Sequence, residues 1–89
     1  MTYIKVNHRH ISKGKIGDCQ KCPIALAIGE RVKTKNVEVF TFGIWVDDIQ
    51  CFIPPKVEHF LFNFDTRKSV KPFGFKLVYK IRNHININK

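Results

Sequence analysis

An α+β domain with the element order β-α-β-β-α-β is predicted by three features of the 89-residue chain. Alternating apolar and polar residues mark strands near both ends. Two helical stripes each begin beside a proline. Between them lies a stretch rich in β-branched and aromatic residues, interrupted by Asp47-Asp48. Two helices laid on one sheet, as a two-layer sandwich, bury these apolar rows, with a ferredoxin-like (split βαβ) topology as the leading arrangement. The whole chain, 1–89, makes a single domain in which 82–89 is a polar tail.

Taken in order, Thr2 to Asn7 puts Ile4 and Val6 on one side and Tyr3 and Lys5 on the other. Residues 8–18 include Gly14 and Gly17 without a sustained period, and read as a long loop with one helical turn around Ile11. Pro23 suits the first position of a helix, where its missing N–H would have no partner. Ile24, Ile28 and Val32 then repeat at helical spacing, although Gly29 weakens the run. Val37 to Val46 is expected as one long strand, joined through Asp47-Asp48 to Ile49–Ile53. That pairing sets Val46 against Ile49, Ile44 against Cys51 and Phe42 against Ile53, all on one apolar face. After Pro54-Pro55, the residues Val57, Phe60, Leu61 and Phe64 form a core-facing helical stripe. A final strand covers 73–81, with Phe75 and Leu77 facing inward. The expected core is therefore Ile4, Val6, Ile24, Ile28, Phe42, Ile44, Ile53, Val57, Phe60, Leu61, Phe64, Phe75 and Leu77.

Charge points to function more than any motif does. Sixteen Lys and Arg against seven Asp and Glu leave a formal charge of +9. All the acids fall from Asp18 to Asp65, so both ends of the chain are purely basic. If the first and last strands are neighbours, these ends make one basic surface, a footprint for a polyanion. A lysine excess can also serve solubility alone. The longest apolar run, Ile24–Ile28, is far short of the ~20 residues that cross a bilayer. The N-terminus has no apolar signal core. Three cysteines suit a reducing compartment, so a cytoplasmic location without membrane partners is expected. No nucleophile triad, paired carboxylates or phosphate loop is present, which argues against an enzyme.

The sheet face opposite the helices is expected to display Tyr3, Lys5, Val39, Trp45, Gln50, Phe52, Lys76, Val78 and Lys80. Aromatic rings rimmed by lysines can stack single-stranded bases while the amines meet phosphates. Tyr3, Trp45 and Phe52 are the stacking candidates, and Lys5, Lys76, Lys80 and Arg82 the phosphate contacts. The same apolar face could instead be covered by a second copy in a homodimer, or by a protein partner. His59 and Phe62 lie together on the outward side of their helix and form a candidate protein-contact point. Cys19-Gln-Lys-Cys22 offers two corners of a tetrahedral zinc site, with His8 and His10 as candidates for the others. Redox chemistry and a purely structural helix cap are the other readings of this pair. No further cofactor is expected.

Four segments carry a resemblance. They are His10-Ile-Ser-Lys-Gly14, Asp18-Cys19-Gln-Lys-Cys22-Pro-Ile-Ala-Leu-Ala27, Pro54-Pro-Lys-Val57-Glu-His-Phe60-Leu-Phe-Asn-Phe64-Asp65 and Val70-Lys-Pro-Phe-Gly-Phe75-Lys-Leu77. Together they resemble a family of small, uncharacterised phage and prophage proteins with a His-Ile-x-x-Gly loop and a Cys-x-x-Cys-Pro-Ile-Ala-Leu-Ala helix start. The resemblance implies a mobile-element accessory protein in a bacterial cytoplasm. Such proteins often bind and inhibit host machinery, CRISPR effectors included. Two functions are thus expected: a binder of host nucleic acid or nucleoprotein, and an anti-CRISPR-like, protein-directed inhibitor of a host defence or replication enzyme.

Overall fold

The computed structural model describes residues 2–80 and is an α+β protein with two antiparallel sheets and three helices. In chain order the elements are β1 (Thr2–Val6), α1 (His8–Lys13), α2 (Pro23–Val32), β2 (Val37–Phe40), β3 (Gly43–Val46), β4 (Ile49–Cys51), α3 (Pro55–Asp65) and β5 (Phe73–Leu77).

Each helix start has a local chemical cause. Asn7 caps α1, its side chain accepting the N–H groups of Arg9 and His10 at 3.0 and 3.2 Å. The His10 ring accepts the Asn7 N–H in return at 3.1 Å, so a reciprocal capping box forms with histidine in the role usually given to Glu or Gln. A helix therefore occupies 8–13, where the lack of apolar period predicts mostly loop. In α2, Pro23 is the first residue and the Cys22 thiol accepts the Ala25 N–H at 3.4 Å. Lys33 closes α2 in the left-handed region at φ 59°. Pro55 likewise begins α3.

The largest departure from expectation lies at Thr41–Phe42. Residues 37–46 do not form one strand. A turn at those two residues folds them into the hairpin β2–β3, which pairs Val37 with Val46 and Val39 with Ile44. In a continuous strand, Val39 and Ile44 would point to opposite faces; across a hairpin they share one. Val39 is consequently buried in the core, not on the outer face, and Phe42 is 69% exposed instead of buried. The next hairpin follows expectation. Asp47 and Asp48 both adopt positive φ, as a two-residue turn matched to strand twist requires. The pairs Val46–Ile49 and Ile44–Cys51 form. The strand stops at Cys51, so Phe42 and Ile53 do not pair.

β1 runs antiparallel to β5, with Ile4 opposite Phe75 and Thr2 opposite Leu77. The first and last strands are thus neighbours, the condition under which the basic ends form one surface. Among the described residues the last strand ends at Leu77, because the chain then leaves β1 and bonds to β4; position 81 of the expected strand lies outside the described residues. Phe52 N–H donates to Val78 O at 2.9 Å, Lys80 N–H to Gln50 O at 2.8 Å, and Tyr79 bridges Cys51. A ferredoxin-like order would set β1 beside β4, but the described contacts of β4 on that side are with Val78–Lys80, past the end of β5.

The core gathers Ile4, Val6, Ile24, Ile28, Val37, Val39, Ile44, Val46, Cys51, Val57, Phe60, Leu61, Phe75 and Leu77. Ile53 and Phe64, expected inside, pack against its rim. Phe60 joins α3 to the sheet, its ring centroid 5.0 Å from that of Phe73.

Candidate functional site

The outer face of the sheets follows from strand parity. With Val37 and Val39 inward, Phe40 turns outward with Trp45, and Phe42 at the hairpin tip joins them. Phe40 and Phe42 stack at a centroid distance of 5.1 Å, and Trp45 meets each edge-on at 5.8 Å. The Trp45 ring lies over Gly43, where a Cβ would approach the ring to about 2.9 Å. Glycine is the residue that lets the indole lie flat there. The Tyr3 ring rests in the same way over Gly74.

Phe52 continues the aromatic surface along β4 and is 53% exposed. The Lys80 ammonium sits over its ring, 5.1 Å from the centroid, close enough for a cation–π contact. Lys5 and Lys76 are exposed on the β1–β5 part of the face, with Lys76 directly opposite the half-exposed Tyr3. The outward positions expected for Tyr3, Lys5, Trp45, Gln50, Phe52, Lys76 and Lys80 are all occupied as such, with Trp45, Gln50 and Lys80 part-buried. Arg82 lies outside the described residues. Phe40 and Phe42 are the members that sequence reasoning missed; the signal available was Gly43 directly after Thr41-Phe42, since glycine suits the last position of a β-turn.

On α3, His59 and Phe62 are both exposed, and Lys68 caps the Phe62 ring at 5.3 Å.

The proposed metal ligands do not converge. Among the described residues, no three His, Cys, Asp or Glu side chains are grouped closely enough to hold a metal ion. His8 is exposed. His10 is buried, with Nδ1 accepting from Asn7 and Nε2 therefore donating to Glu30 Oε1 at 2.5 Å. The Cys22 thiol is spent on the α2 cap, and burial pushes it up to about 11, so it stays protonated near neutrality. Cys19 is half-buried beside it.

No protein-family model, curated protein or solved structure matches the chain. Among the described residues, no helix is long and apolar enough to cross a membrane.

Proposed function

We propose that the protein is a non-catalytic binder of single-stranded nucleic acid, or of a nucleoprotein that displays it, acting through the outer sheet face. The observation that carries this reading is the exposed pair Phe42 and Phe52 on one face with Trp45, with Lys80 poised over Phe52. Exposed rings offer stacking platforms to any base, and Lys5, Lys76 and Lys80 offer charge to the phosphates between them. Lysine meets phosphate as a point charge, so little sequence preference and micromolar or weaker affinity are expected. A role as a mobile-element accessory protein in a bacterial cytoplasm fits such binding.

Titration with a single-stranded oligonucleotide tests the reading. Stacking at the Phe40–Phe42–Trp45 cluster should quench the emission of Trp45, the single tryptophan of the chain. With about four phosphate contacts, affinity should fall tens-fold between about 50 and 200 mM salt. No quenching, or a salt-independent affinity, would sink the idea.

The exposure of Phe62, at 61% beside His59 on α3, favours a second reading as a protein-directed inhibitor of a host defence or replication enzyme. Capture of the same host protein after nuclease treatment, lost in Phe62→Ser, would put that reading ahead.

A further inference from the structure

A second basic feature lies where β1, α1 and the end of α2 meet. A groove of about 680 Å³ opens there, lined by Lys5, Arg9, Arg31 and Lys33 with Tyr3 at its wall. One carboxylate, Glu30, stands against these four cations. Both of its oxygens are already engaged, Oε2 by Arg9 Nη2 at 3.0 Å and Oε1 by the buried His10 ring. Among the described residues Arg9–Glu30 is the only ion pair of a Lys or Arg, so Lys5, Arg31 and Lys33 have no acidic partner there. Gathering like charges in a concavity costs free energy that a polyanion relieves. Glu30 serves to hold the Arg9 guanidinium in place, anchored in turn by a histidine that the α1 cap orients.

We propose that this groove is a binding site for ligands carrying two or more adjacent phosphate groups, whether a free polyphosphate or the backbone of a nucleic acid. Two guanidinium forks suit bidentate phosphate contacts, and two lysines add point charge. The site goes beyond the stacking face, since Arg9, Arg31 and Lys33 come from helix ends and not from the sheet. Tyr3 and Lys5 belong to both surfaces, so a strand lying on the face can continue into the groove.

Inorganic tripolyphosphate, which has no base to stack, isolates the groove from the face. Calorimetric titration of the full chain at low ionic strength should give saturable one-to-one binding. Arg31→Gln with Lys33→Gln should weaken it roughly tenfold or more, through the loss of two close charges. Trp45→Ala and Phe52→Ala should leave it unchanged. Amide shifts on tripolyphosphate addition to the unmodified protein should centre on Lys5, Arg9, Arg31 and Lys33, a readout that needs no variant to fold. Absent saturation, shifts centred elsewhere, unaltered binding in the double variant, or tighter binding of an oligoglutamate of equal charge would each overturn the proposal. A single-stranded oligonucleotide in parallel keeps the readings apart. Loss of its binding in Trp45→Ala while tripolyphosphate fails to bind supports the face and rejects the groove; the reverse pattern supports the groove and rejects the face.

Discussion

Cys22 looks in the sequence like half of a metal or redox motif, and in the fold it is a helix cap. Its thiol is buried, bonded to the Ala25 N–H and held protonated at neutral pH by desolvation. Alkylation of the native protein at pH 8 should therefore modify the half-buried Cys19 well before Cys22, as peptide mass mapping can check; equal rates would mean that the cap opens readily. Glu30 makes a second residue-level prediction. Hydrogen bonds from His10 and then Arg9 hold its carboxyl below the ordinary value of 4.5. A carboxylate favoured in this way stabilises the fold above that ordinary value, and the contribution is lost as pH falls through the lower folded value. Acidification from about pH 5 to 3 should thus destabilise the native chain more steeply than Glu30→Gln, in denaturant titrations at each pH. Parallel curves would show that the pair contributes nothing.

At the scale of elements, proline and parity divide what was legible from what was not. Pro23 and Pro55 announce their helices because a residue without an N–H belongs where the helix has no acceptor to offer it. The Asp47-Asp48 turn was legible from its hydrophobic flanks, which fix which residues must face one another. The Thr41–Phe42 turn was not, since neither residue carries turn chemistry and the flanking pattern also satisfies one long strand. A two-residue turn reverses the chain and keeps paired residues on one face, so missing it inverted the faces of Val39 and Phe42. The substitution pair Val39→Ala and Phe42→Ala measures this directly. Val39→Ala should cost about 1–3 kcal/mol as a buried truncation, and Phe42→Ala less than about 1 kcal/mol as an exposed one. The opposite ranking in urea unfolding would restore the single strand. Asn7 was the missed sign of α1, because its capping partner is a histidine and not the customary Glu or Gln.

Across the whole molecule, the basic termini meet because β1 and β5 pair, which brings Lys5 and Lys76 onto one face with Tyr3. Lys80 belongs to the same face, although its backbone bonds to β4 and its ammonium covers Phe52. Replacing Lys76 and Lys80 together by Glu should abolish oligonucleotide binding in an anisotropy titration while circular dichroism stays native. Retained binding would move the contact elsewhere on the surface. The sequence by itself determined the α+β class, two of the helices, the Asp-Asp hairpin, most of the core and the uneven charge, because periodicity, proline chemistry and composition are local or additive properties. Only the tertiary structure decided which strands adjoin, which aromatic rings cluster outside, and that His10 and Cys22 are engaged as caps. Those outcomes depend on strand register and on partners distant in sequence, and neither is written into any single segment of the chain.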